Sequence, residues 1–125
     1  MKTKLYMIAR VLAGLMLVVF GSNKFLGFIE MQPGSLEMGA FMMALFQTGY
    51  LMKLVAVVEV LAGVSFLSTK YAASMAVVLM PVMLNAFLAH LFLDIEGIGG
   101  ATVLLVFTTV IMINNTDRYR DILRP

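Results

Sequence analysis

The chain has 125 residues, 62% of them hydrophobic and 13% charged, with nine Lys and Arg against seven Asp and Glu. An ordinary soluble domain carries about twice that charged fraction, so the composition belongs to a membrane protein. A balance of +2, with basic residues scattered rather than striped, offers no track for nucleic-acid phosphates. With no Cys and one His, the chain has no thiol redox relay, thiolate metal site or bis-histidine haem of its own.

The first segment, Met1–Lys4, is basic and precedes an apolar stretch, as in a signal peptide. Arg10 interrupts that stretch, apolar residues continue to Phe20, and no small-residue cleavage site follows before Lys24, so a retained span over Leu5–Phe28 is expected. On a helical wheel Arg10, Gly14, Leu17, Gly21 and Lys24 share one narrow arc. Glycines let a second backbone approach, and lipid would penalise both cations, so this arc should face the protein interior.

Met31–Gly49 follows, opening on the turn residues Pro33-Gly34-Ser35, with Ser35 placed to cap a helix over Leu36–Gln47. A helix of about 12 residues is ~18 Å long. It is too short to cross a bilayer and should lie as an interfacial or re-entrant element over one end of the protein. Three more apolar runs, Tyr50–Ser68, Tyr71–Leu93 and Ile98–Asn114, are long enough to span. Only Thr69 and Lys70 separate the first two of these, and Asp94–Gly97 the last two, so neighbours should be antiparallel. The expected fold is a single all-α domain: a transmembrane four-helix up-down bundle with one short helix between spans one and two.

Lys2, Lys4, Lys70, Arg118, Arg120 and Arg124 fall on one side of this arrangement, and Glu30, Glu37, Asp94 and Glu96 on the other. The positive-inside rule then puts both termini in the cytoplasm, as for a bacterial-type inner-membrane protein. Lys53 sits on the outer side and should snorkel to the surface.

Glu59 lies inside the run Leu54–Phe66. An ionised acid at the centre of a membrane helix costs ~2.5–3.5 kcal/mol on insertion scales, so it needs a partner, a proton or a wet pocket. Counting from the outer boundary places Lys24, Asn85 and Glu59 at depths of ~5, ~10 and ~13 Å, with His90 near the mouth. Lys24, Glu59, Asn85 and His90 are therefore the candidate ligand-binding residues, with the Asn85 amide bridging acid and amine. Arg10 and Pro81 are expected to be structural or lipid-facing, Arg10 reaching lipid headgroups in the simplest account and Pro81 kinking span three beside Asn85. Met38/Met42 and Met80/Met83 have helical spacing. With no Cys and a lone His, the methionines read as core filler rather than copper ligands, and no metal site is expected.

Ile8-Ala9-Arg10-Val11-Leu12 through Phe20-Gly21-Ser22-Asn23-Lys24-Phe25 resembles the first-span motif of the DoxX family of small four-helix membrane proteins. Val58-Glu59-Val60-Leu61-Ala62-Gly63 resembles its second span, and Pro81-Val82-Met83-Leu84-Asn85 with His90-Leu91-Phe92 its third. The resemblance covers nearly the whole chain and implies a transmembrane bundle with Arg10, Lys24, Glu59, Asn85 and His90 as its polar positions. Some members, including the DoxD subunits, are linked to thiosulfate:quinone oxidoreduction.

The expected function is an accessory or quinone- or small-ligand-binding subunit of a membrane redox complex, with a polar pocket in the outer half of the bundle. It is more an oxidoreductase subunit than an enzyme alone. No cofactor is evident in the sequence; a quinone would suit Lys, Asn and His donors. The alternatives are a structural or assembly subunit whose polar cluster only fixes helix register, or a small transporter. The expected partners are the lipid bilayer and either other membrane subunits or further copies of the chain, with no nucleic acid.

Overall fold

A computed structural model describes residues 2–30 and 34–125; Pro33 of the expected turn, and the side chain of Lys2, lie outside that description. The described residues form five α-helices: α1 (Lys2–Leu26), α2 (Leu36–Gln47), α3 (Leu51–Ser68), α4 (Ala72–Leu93) and α5 (Ile98–Asn114). Thr3–Leu26, Leu51–Ser68, Ala72–Leu93 and Ile95–Asn114, of 24, 18, 22 and 20 residues, are long and apolar enough to cross a membrane, with mean hydropathies of 1.9 to 2.1. At the α-helical rise the shortest is ~27 Å, close to the ~30 Å hydrocarbon core of a bilayer. The protein is a small membrane protein whose outward faces carry exposed Leu, Val, Ile and Phe suited to lipid contact.

The four long helices form a closed ring. α1 packs on α3 over the most extensive interface, α3 on α4, α4 on α5, and α5 returns to α1. The short α2 rests on α3 and α4, at the end of the bundle where α3 begins and α4 finishes; this is the cap end, and the opposite one the tail end. The expected all-α up-down bundle with a short helix between spans one and two is the fold observed. Ala13, Leu17, Ala62, Phe66, Ala76, Leu79 and Ile111 fill the centre with no exposed surface. Thr108 is also fully buried, and its hydroxyl donates to the Leu104 carbonyl one turn back at 2.7 Å, so the hydroxyl is satisfied within its own helix.

Small residues explain the dominance of the α1–α3 contact. A Cβ built on Gly63 would fall 2.8 Å from the Gly14 carbonyl oxygen and 2.9 Å from the Val18 nitrogen, so backbone meets backbone. A Cβ on Gly14 would lie 2.8 Å from Leu67 Cγ and 3.1 Å from the Gly63 oxygen. Lipid tails are as apolar as any side chain, so helices in a membrane gain by this kind of close fit rather than by hydrophobic burial.

The connections are held by local polar groups. α1 ends at Leu26, two residues short of the expected Phe28, where Gly27 adopts φ +64°. Asn23 fixes that exit: its Nδ2 donates to the Ile29 carbonyl at 3.0 Å, and its Oδ1 accepts from the Ile29 N–H at 2.7 Å. The α3–α4 turn uses two left-handed residues that are not glycine, Thr69 (φ 66°) and Tyr71 (φ 62°), and the Ser65 hydroxyl donates to the Lys70 carbonyl within it. α4 runs unbroken through Pro81. At the tail end a short 3₁₀ turn, Thr116–Tyr119, folds back, and the buried Tyr119 hydroxyl donates to the Ala73 carbonyl at 2.7 Å.

Candidate functional site: a buried ion pair near the cap end

The site begins with Gly21. A Cβ there would stand 3.1 Å from Glu59 Cβ and 2.8 Å from Val60 Cγ2, so α1 lies directly against α3 at the level of the acid. One turn further along, Lys24 Nζ sits 2.7 Å from Glu59 Oε1. The Glu59 side chain is 5% exposed and that of Lys24 22%. The acid is thus enclosed by protein, while the amine closes over it and remains reachable from one side. An ammonium has three N–H donors and Glu59 Oε1 engages one of them, so two are left for other acceptors.

The same face of α1 carries a second cation at the tail end. Arg10 Nη1 donates to the Phe66 carbonyl and lies 3.4 Å from that of Leu67. These carbonyls belong to the last turn of α3, where no intrahelical N–H is available and the helix dipole favours positive charge. Arg10 therefore caps α3, the structural of the two roles expected for it. The arc Arg10, Gly14, Leu17, Gly21 and Lys24 does face the interior: it lies on α3, with Leu17 fully buried between the two glycines.

The four expected site residues do not form one cluster. Asn85 is exposed, on the side of α4 opposite the buried Ala76, Leu79 and Met83, and its side chain makes no hydrogen bond among the described residues. It does not bridge Lys24 and Glu59. Its direction around the helix is not the expected one. Pro81 is exposed on the same side, and α4 stays helical through it. Lys53 is exposed, as a snorkelling residue should be.

His90 belongs to a different polar group, in the last turn of α4. Its Nδ1 is 3.9 Å from Asp94 Oδ2, beyond hydrogen-bond distance, and that buried nitrogen has no hydrogen-bond partner among the described residues. Glycines pack around the pair: a Cβ on Gly34 would fall 2.7 Å from the Asp94 carboxylate oxygens, and one on Gly97 would be 3.2 Å from His90 Nδ1. Ser35 fastens α2 to the same place. Its hydroxyl donates to the Leu93 carbonyl at 2.5 Å and accepts from the Met38 N–H at 3.0 Å, so it caps α2 and ties it to α4 at once.

Sequence reasoning missed Asn23, Asp94 and Tyr119. Asp94 stands four residues after His90, a spacing that brings helical side chains together. Asn23 stands four residues before Gly27, a common pattern for a helix exit. Nothing local signals the reach of Tyr119 to Ala73.

Two concavities lie away from the ion pair. One, of about 320 Å³, is an apolar groove on the outer surfaces of α1 and α3, lined by Ser22, Phe25, Leu26, Val57, Val60 and Leu61. The other, of about 590 Å³, is at the tail end between Ile113 and the residues up to Pro125. Neither is lined by Lys24 or Glu59. No family model, curated protein or solved structure matches the chain.

Proposed function

We propose that this is a DoxX-like accessory subunit of the membrane, which binds the carbonyl-bearing headgroup of an amphiphile, a quinone being the chemical class that fits best, at the Lys24 ammonium. The supporting observation is the uneven burial of the pair, 22% exposed for the amine and 5% for the acid. Glu59 holds the ammonium in place from behind. The free N–H donors of Lys24 then meet a ligand carbonyl arriving along the bundle, while an isoprenoid tail stays in lipid. Arg10, Lys24 and Glu59 stand at positions the family resemblance marks as polar, and all three work at the α1–α3 contact. His90 and Asn85 have no part in this binding. The proposed setting is a bacterial-type inner membrane with both termini cytoplasmic.

The experiment is titration of the purified protein in lipid nanodiscs with a short-chain quinone. Lys24→Gln should weaken binding by about tenfold, the worth of one charge-assisted hydrogen bond. Unaltered binding in a folded Lys24→Gln protein would overturn the reading.

A second reading has its own support. The backbone contact of Gly14 with Gly63 and the Arg10 cap on α3 make the whole α1–α3 face a structural clamp. On that reading, replacing Lys24 and Glu59 together by apolar residues restores accumulation in the membrane, and no ligand is lost with them.

A further inference from the structure

The outward side of α4 is unusual for a lipid-facing surface. Ser74, Val78, Pro81, Asn85, Leu88 and Phe92 follow one another at intervals of four, three, four, three and four residues, and each is exposed. Such four-and-three spacing follows one side of a helix, here the side of α4 turned away from α3 and α5, and is the seam along which a second helix packs in a left-handed pair. In the middle of the seam stands Asn85. Eight residues from the end of α4 at Leu93 it lies ~12 Å below the cap end by the helical rise, within hydrocarbon. Its amide has two donors and an acceptor and makes no hydrogen bond among the described residues. Pro81, one turn away on the same side, has no N–H to offer the Val77 carbonyl, and Val77 is 41% exposed. Polar groups left unmet in lipid cost free energy and are answered by other helices.

We infer that α4 is the self-association surface of this protein, and that its occupant is the α4 helix of a second copy, with Asn85 paired to Asn85. Two arguments select a second copy. Both copies insert with the same orientation, so a two-fold axis along the membrane normal brings each residue of the seam opposite itself at the same depth. A primary amide is self-complementary: each Asn85 donates through Nδ2 to the other's Oδ1, which no apolar or purely cationic partner reproduces. A single Asn within a heptad seam is also the residue that fixes register and the number of helices. The surface is separate from the Lys24–Glu59 pair, so association does not depend on ligand binding.

The absence of native cysteine makes the test direct. Leu88→Cys places a thiol on the seam, and Val106→Cys places one on the exposed side of α5. Oxidation in native-lipid vesicles should link the Leu88→Cys protein into dimers and leave the Val106→Cys protein unlinked. In lipid bilayers of graded protein-to-lipid ratio, measured by energy transfer between labelled copies, Asn85→Leu should weaken association by about three- to tenfold. Asn85→Gln should recover part of it. Asn85→Leu exchanges a polar for an apolar group on a lipid-facing surface, so the monomer should stay folded, and its helicity and melting are read alongside. A monomer at all ratios, linkage through Val106→Cys in preference to Leu88→Cys, or an association indifferent to Asn85→Leu would each overturn the inference.

Discussion

Replacing Lys24 by methionine keeps most of the stem and removes the charge, which isolates what the ion pair contributes. At 2.7 Å the two unit charges attract with ~6 kcal/mol for an effective dielectric of about 20. Much of that offsets the cost of taking both groups out of water, so the pair's net worth is small. Removing one partner is a different matter. Glu59, 5% exposed, would be left without a counter-charge, and breaking such a pair costs about 3–5 kcal/mol. Taking up a proton from water near pH 7 costs an ordinary Glu side chain ~3.7 kcal/mol, which limits the penalty. Lys24→Met should therefore destabilise the bundle by ~3 kcal/mol. Glu59→Leu should cost only ~1 kcal/mol, because the 22%-exposed ammonium can turn its stem toward the surface. The double variant should resemble Glu59→Leu, giving a coupling of ~2–3 kcal/mol in a double-mutant cycle. Reversible unfolding in mixed lipid–detergent bicelles measures all four proteins. A coupling below ~0.5 kcal/mol, or equal costs for the two single variants, would refute this account of the pair.

Three further predictions concern the scaffold. Gly63→Ala drives a methyl into the Gly14 carbonyl and should cost at least ~2 kcal/mol, whereas Gly100→Ala, with nothing within 4 Å of its Cβ, should be neutral or stabilising by up to ~1 kcal/mol in the same unfolding assay. Thr69→Gly relieves a β-branched residue held at φ 66° and should raise stability by ~1 kcal/mol; a loss would show that Thr69 does other work. Tyr119→Phe removes the bond to Ala73 and should cost ~1 kcal/mol. Burial, followed by the neighbouring Tyr6, raises the Tyr119 pKa above its ordinary value, with Arg118 opposing. The folded protein therefore holds this proton more tightly than the unfolded chain. Its contribution is complete below about pH 10 and declines as pH rises beyond it, a decline that Tyr119→Phe should flatten in alkaline melting curves.

The spans and the cap helix were legible because their signals are one-dimensional: an apolar run has a length, and Ser35 before Leu36 marks a start. The Lys24–Glu59 pair was legible for a related reason. α1 has an uneven circumference, with charges and glycines gathered on one arc, so both depth and direction could be read. α4 has no such asymmetry. In lipid the outward side is as apolar as the inward one, and the period of 3.6 residues that marks a buried face in a soluble helix fades. Asn85 could be assigned a depth and not a direction, and that is where the expected four-residue pocket failed. For Arg10 a structural role could not be told from a lipid-facing one, because its acceptors, the carbonyls of Phe66 and Leu67, are backbone groups more than fifty residues away. Backbone acceptors leave no trace in residue type.

The placement of both α1 partners on α3 has a consequence for biosynthesis. Arg10 is separated from Phe66 by 56 residues, which at about 5–20 residues per second takes ~3–11 s to translate. Throughout that interval the first span carries two unanswered cations, and its hold on the bilayer is weakest. Stable integration of α1 is thus a delayed event, completed when α3 emerges from the ribosome. Truncated chains ending at Gln47 and released from the ribosome should be extracted by alkaline carbonate more readily than released chains ending at Lys70.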